Sequence, residues 1–274
     1  MIDDGHRNLL SFVFYTIMTH FPAAVTEQKR KRTENMNFKE TVIKDRKCLI
    51  RMDQTADTIL IQPVDDHDTE ELEKECEAVS EASIPYTLVT FSVKDWNKEL
   101  SPWPAEAVFK GAVFAGGAEE TLQFIKEDLL PYLSEEFPEE NRRHLIIGGY
   151  SLAGLFALWT VYETDIFEAV TAASPSVWFA GWDDYISSHP LKAEHVYLSL
   201  GTKEEKTRNP VMASVGDRIR MQYDILNKAE NCSCILEWNP GNHFRDSGIR
   251  TGKGFAWCLK QVKKKNGAAQ QTVS

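Results

Sequence analysis

The chain has 274 residues, 42% hydrophobic and 26% charged, enough for one large α/β domain with a fully buried sheet and short for two independent ones. Its formal net charge of −10 argues against a nucleic-acid backbone as the main partner, because phosphate binding needs a basic face. Five cysteines, an odd number, do not make a disulfide framework and read as reduced thiols of a cytoplasmic protein.

Leu9 to Val25 is mostly apolar, but it carries Thr16, Thr19, His20 and Pro22. It follows the acidic Asp3 and Asp4, whereas a secretory signal opens with positive charge. At about 17 residues it sits at the lower limit of a membrane span, and its polar content argues against spanning. The basic run Gln28-Lys29-Arg30-Lys31-Arg32 reads as a solvated linker, and Met36 stands directly before the first patterned segment. Residues 1–36 are thus an N-terminal extension, poorly ordered or partly helical. One reading starts the natural product at Met36; a peripheral membrane anchor is the competing one.

From Asn37 onward strand-like and helix-like segments alternate, the pattern of a mostly parallel central sheet with helices on both faces. The α/β domain is expected over 37–265, with a flexible tail over 266–274. Phe38 to Ile43 and Cys48 to Met52 read as a leading hairpin turning at Lys44-Asp45-Arg46. Thr58 to Gln62 is a short apolar strand ended by Pro63, and Asp68 or Thr69 caps a helix from Glu70 to Ala82. Tyr86 to Val93 is the next strand. Between Lys94 and Ala115 the pattern breaks into a long loop holding Trp96 and Ser101-Pro102-Trp103-Pro104; long irregular loops in compact domains are commonly functional. A helix is expected from Ala118 to Glu136, then a strand His144 to Ile147, a turn at Gly148-Gly149 and a helix Leu152 to Tyr162. Strands follow at Phe167 to Ala173 and His195 to Leu200. A long helix runs from Pro210 to Asn227, a last strand from Cys232 to Trp238 and a last helix from Gly252 to Lys263. The period-two pair Cys232 and Cys234 points to core packing on one strand face.

Gly149-Tyr150-Ser151-Leu152-Ala153-Gly154 lies between a buried strand and an apolar helix, as a nucleophile elbow does. Such a turn brings chain segments so close that small residues are needed two positions either side of the serine. The pattern alone arises by chance in roughly one chain in five at average residue frequencies. Its placement after Leu145-Ile146-Ile147 and before Leu155-Phe156-Ala157-Leu158 gives it weight. A serine hydroxyl needs a base, and in this arrangement acid and base follow the serine along the chain, after later strands. His243, in Asn239-Pro240-Gly241-Asn242-His243-Phe244, lies just past the last strand, where the base is needed. His144 and His195 precede their strands and belong at the opposite edge. His67, in Asp65-Asp66-His67-Asp68, lacks the spacing of metal ligands and reads as an exposed loop residue. The loop after His195 to Leu200 offers two carboxylates, with Glu204 preferred over Glu205 and Asp217 a distant third inside a helix. For the developing oxyanion, one backbone donor is expected from Leu152 and the other from Val64 or Asp65 after the strand that Pro63 ends.

Together these motifs resemble the branch of the α/β-hydrolase superfamily that includes esterase D, enterochelin esterases, feruloyl esterases and mycolyltransferases. The similar stretches are Gly116-Gly117-Ala118-Glu119, the elbow hexapeptide, Ala173-Ser174-Pro175-Ser176-Val177-Trp178-Phe179, Gly201-Thr202-Lys203-Glu204 and Gly241-Asn242-His243-Phe244, in the family's order. Ala153 departs from the commoner glycine. The resemblance implies Ser151 as nucleophile, His243 as base and Glu204 as acid, acting on a small-molecule carboxylic ester through an acyl-enzyme, without metal or organic cofactor. It implies that the Ser174-Pro175-Ser176 turn lies beside the pocket with Trp178 near its wall; Trp96 and Trp103 are further candidates for contacts to substrate. Acyl transfer to another alcohol shares the first half-reaction. A non-catalytic binding module on the same scaffold is the third reading, and retention of serine, histidine and carboxylate in the right order speaks against it.

Overall fold

The computed structural model describes residues 37–106, 108–109, 111–136 and 144–271, with side chains described as far as 264; the N-terminal extension expected over 1–36 lies outside the described residues. Ten strands occur among them: β1 (Lys39–Ile43), β2 (Arg46–Arg51), β3 (Thr58–Val64), β4 (Thr87–Ser92), β5 (Pro104–Ala105), β6 (Phe114–Ala115), β7 (His144–Tyr150), β8 (Ala169–Ala173), β9 (His195–Gly201) and β10 (Ser233–Asn239). Eight build one sheet in the order β1-β2-β4-β3-β7-β8-β9-β10; β5 and β6 pair separately. The β1–β2 and β2–β4 pairs are antiparallel, and every pair from β4 to β10 is parallel. The central strands are buried along most of their length and rich in Val, Ile, Leu and Ala, with buried Thr and Gln among them, because both faces are covered.

The helices are α1 (Asp66–Ser80), α2 (Trp96–Glu99), α3 (Ala118–Phe124) and α4 (Leu130–Glu136), the last two joined by a π-helical turn at Ile125–Leu129. They continue with α5 (Leu152–Glu163), α6 (Trp182–Ser188), α7 (Pro210–Ala213), α8 (Val215–Leu226) and α9 (Ser247–Gln271). One sheet face carries the larger core, with Leu155, Phe156 and Leu158 of α5, Trp182 of α6 and Ile219 of α8. The other is covered by α1 and α9 through Leu72, Cys76, Val79, Phe255, Cys258 and Leu259.

Several boundaries differ from those expected, each for a local reason. Pro63 does not end β3; the strand runs on to Val64 against β4. The ladder to β7 stops at Ile61↔Ile147, two residues before the proline, so its ring sits where only one side is paired. Helix α1 begins at Asp66 rather than Glu70, because Asp65 caps it: its carboxylate accepts from the Asp68 amide at 2.8 Å. Gly148 and Gly149 are not a turn but the end of β7. Their lack of side chains serves packing, since a Cβ on Gly149 would lie 2.7 Å from the Ala153 carbonyl carbon. The helix expected from Pro210 to Asn227 is broken at Ser214, and α6 forms in a stretch for which the sequence pattern predicts no helix. The last helix starts five residues before Gly252 and continues past Asn266, where a tail was expected.

Candidate active site

Strand β7 ends at Tyr150 and α5 starts at Leu152, leaving Ser151 at the junction with φ 58° and ψ −120°. This left-handed backbone is costly for a residue bearing a Cβ and persists only where the surroundings hold it. Three hydrogen bonds do so: the Ser151 amide donates to the Ala173 carbonyl at 3.0 Å, and the Ser151 carbonyl accepts from Leu155 and Ser176 at 3.1 and 3.0 Å. Ala153 fits where glycine is commoner because Gly149 opposite it has no side chain. A Cβ on Gly154 would come within 3.0 Å of the Gly149 carbonyl oxygen, so this glycine lets α5 approach β7.

The loop after β10 carries His243 back over the carboxyl ends of the parallel strands. Its Nε2 lies 2.9 Å from Ser151 Oγ, and its Nδ1 lies 2.7 Å from Glu204 Oε2. Glu204 opens a single 3₁₀ turn (Glu204–Lys206) just past β9 and is buried. The structure thus brings together Ser151, His243 and Glu204 from three distant parts of the chain. Glu205, the alternative acid, turns away and pairs with Arg220 at 2.8 Å; Asp217 lies on the first turn of α8, paired with the same arginine.

Every other bond on the Glu204 carboxylate goes through Oε1. It accepts from the Gly201 amide at 2.7 Å, from Ser174 Oγ at 2.7 Å and from Arg250 Nη1 at 3.0 Å. Burial would push this carboxyl up, but the hydrogen bond and charge of His243, the Ser174 hydroxyl and the Gly201 amide outweigh it and hold it below the ordinary glutamate range. Ser174 itself has φ 45°, which turns the Ser174-Pro175-Ser176 segment under the acid. Tyr150 closes the arrangement: its hydroxyl donates to the His243 carbonyl at 2.6 Å, and its ring lies 5.3 Å from the imidazole. Burial, then the neighbouring Glu204 carboxylate, push the Tyr150 phenol up, so it remains a protonated donor. Tyr150 lies inside the elbow motif and Ser174 in the turn that the family resemblance sets beside the pocket; nothing in the sequence singles out Arg250.

Leu152 is the first residue of α5, so its amide lies at the helix N-terminus beside the serine. Val64 is the buried last residue of β3, three positions past the pair Ile61↔Ile147, as Tyr150 is on β7. The Asp65 amide faces the Asp68 carboxylate inside the α1 cap. The three candidate tryptophans each make packing contacts. Trp103 donates from its indole to the Ala180 carbonyl at 2.8 Å and lies among Phe179, Trp182 and Tyr185, fastening the 94–115 segment to α6. Trp96, on α2, is half-buried against the larger core. Trp178 is buried against Phe114 and Phe179, two residues beyond Ser176, whose amide bonds the Ser151 carbonyl. Phe244, next to the histidine, is 70% exposed with its ring edge-on to the imidazole at 5.6 Å. His67 is exposed on the first turn of α1, and His144 and His195 begin their strands at the opposite sheet edge. Among the described residues no helix is long and apolar enough to cross a membrane.

Residues 68–230, more than half of the chain, match the family described as "Putative esterase". Among curated proteins, ferri-bacillibactin esterase BesA of Bacillus subtilis is 33% identical over 100 residues, covering 36% of this chain and 32% of that one. The siderophore triacetylfusarinine C esterase of Aspergillus fumigatus is 32% identical over 79 residues, covering 28% and 26%. The matched part thus spans about a third or less of these relatives' length. An IroE-like serine hydrolase from Shewanella oneidensis shares the fold, with a TM-score of 0.69 over 82% of this chain and 80% of that one at 15% identity. The chain belongs to this esterase family and has the α/β-hydrolase fold.

Proposed function

We propose that the protein hydrolyses a carboxylic ester through an acyl-enzyme on Ser151, with residues 37–265 as the catalytic unit. The observation that carries this reading is the unbroken line of hydrogen bonds from Glu204 Oε2 through the imidazole of His243 to Ser151 Oγ, at 2.7 and 2.9 Å. His243 takes the hydroxyl proton as Ser151 Oγ attacks the ester carbonyl, and the ionised Glu204 stabilises the imidazolium that forms. The amides of Leu152 and Val64 receive the oxyanion. His243 then protonates the departing alcohol, and water, activated by the same imidazole, releases the acid and frees the serine. The elbow geometry supports this division of labour, since the strained φ of Ser151 lifts its hydroxyl clear of both strand and helix.

Both curated relatives are esterases of siderophores by name, which supports a bulky siderophore-type ester as substrate. Phe244 at the rim and Trp178 beside the elbow supply apolar contact for its acid or alcohol part. Cys48, Cys76, Cys232, Cys234 and Cys258 are all free thiols, which supports a reducing, cytoplasmic setting. Hydrolysis of p-nitrophenyl acetate and of a ferric siderophore trilactone by the wild type and by Ser151→Ala tests the reading. Turnover of at least one ester, lost in the variant, is expected; turnover that survives in Ser151→Ala sinks it.

A further inference from the structure

Helix α9 brings to the underside of the site a group that the mechanism above does not use. Arg250 is 1% exposed, among the largest fully buried side chains of the protein. Its Nη1 donates to Glu204 Oε1 at 3.0 Å, to Ser174 Oγ at 3.0 Å and to the Tyr150 hydroxyl at 3.1 Å. Its Nη2 donates to the carbonyls of Pro240 and Asn242, at 3.1 and 3.0 Å, on either side of Gly241 in the turn that carries His243. Tyr150 passes the grip on to the His243 carbonyl itself. One planar guanidinium therefore holds the acid by its carboxylate and the base by its backbone.

A filler of this space need not be charged: burying a cation is expensive, and apolar side chains of similar volume often serve stability as well or better. The fork geometry is what an apolar residue or a lysine cannot reproduce, since two nitrogens reach five acceptors on four chain segments. We propose that Arg250 is a positioning residue for the hydrolytic reaction, fixing Glu204 and the 240–243 turn, and that its charge offsets that of Glu204 at the imidazole. The inference rests on the roles given above to Ser151, His243 and Glu204.

Among the described residues, the charged and titratable groups around the imidazole are few. Glu204 approaches from the loop after β9, Arg250 from α9, and the Tyr150 ring and Ser151 hydroxyl from the elbow. Of the exposed charges, Arg245–Asp246 and Lys253–Glu237 pair one to one, and Arg220 is shared by Glu205 and Asp217. Arg250 is thus the cation that neutralises the carboxylate behind the base. Removing it leaves Glu204 uncompensated and favours the imidazolium, so the acid limb of the kcat/KM profile moves to higher pH.

The test is the pH dependence of kcat/KM for an activated ester with wild type, Arg250→Met and Arg250→Lys, each first checked for fluorophosphonate labelling of Ser151. In Arg250→Met, kcat is expected to fall about 100-fold with KM little changed, and the acid limb to rise by about one pH unit. Arg250→Lys keeps the charge but not the fork: kcat falls about tenfold, while the acid limb stays within ~0.3 pH units of the wild type because the charge is kept. An acid limb that does not move in Arg250→Met, or a kcat for Arg250→Lys equal to that of the wild type, overturns the proposal; the lysine variant decides if the methionine one does not fold. A wild type that is neither labelled nor active overturns the underlying assignment of Ser151 instead, which separates the two failures.

Discussion

Glu75 offers a stability test that does not touch the active site. It lies on α1, 4% exposed, and among the described residues its side chain takes one hydrogen bond, from Gln62 Nε2 of β3 at 2.6 Å. Burial pushes its carboxyl up to about 8 from an ordinary value of 4.5, and the Gln62 bond offsets this only in part. The sign follows from proton linkage. Below pH 4.5 the group is protonated in both states and the native contact carries no penalty. Between 4.5 and about 8 the unfolded chain releases the proton while the folded one keeps it, so stability is lost as pH rises, by about 1.4 kcal/mol per pH unit. At pH 7 the accumulated loss is about 3 kcal/mol, a large part of a domain's net stability. Glu75→Gln keeps the shape and the acceptor for Gln62 but cannot ionise. Urea unfolding of both proteins at pH 5, 7 and 8 is the assay. The variant is expected to lie within about 1 kcal/mol of the wild type at pH 5 and to exceed it by about 3 kcal/mol at pH 7. Parallel curves across this range, or a variant less stable at pH 8, would refute the reasoning.

Tyr150→Phe removes one hydroxyl that both accepts from Arg250 and donates to the His243 carbonyl, so kcat/KM is expected to fall about tenfold with little change in melting temperature. Gly149→Ala drives a methyl against the Ala153 backbone and is expected to cost about 1–3 kcal/mol in denaturant titrations, along with activity. Ala153→Gly costs about 1 kcal/mol of helix propensity and keeps turnover. Trp103→Ala dissolves the cluster with Phe179, Trp182 and Tyr185 and is expected to lower stability by about 2 kcal/mol. A rise in KM without loss of stability would instead make Trp103 a contact to substrate.

The layered fold was legible because parallel strands covered on both faces are mostly apolar runs, and Leu145-Ile146-Ile147 and Ala169 to Ala173, interrupted only by Thr171, read that way. The places of Ser151, His243 and Glu204 were legible because each follows a strand whose carboxyl end forms one rim. What could not be read is what depends on packing across the sheet. Nothing local in Gly148-Gly149 separates a turn from a strand pressed against Phe255 and Ala153. Asp65, Asp68 and Thr69 are all good caps, and which one starts α1 depends on where β3 ends. Arg250 was invisible for a related reason: it sits in the Ser247-to-Thr251 stretch left outside the expected last helix, and arginine in a sequence reads as surface. Its burial is a consequence of the acceptors that converge on it from β7, the β8 and β9 loops and the His243 turn.

Intact-mass spectrometry after brief exposure to a fluorophosphonate, followed by peptide mapping, tests the central claim most directly. One adduct per chain, on Ser151, formed at least a hundred times more slowly in His243→Ala, is the predicted outcome (about 3 kcal/mol of lost activation). A folded protein that takes up no adduct, or takes it up on a different serine at a rate indifferent to His243, contradicts it.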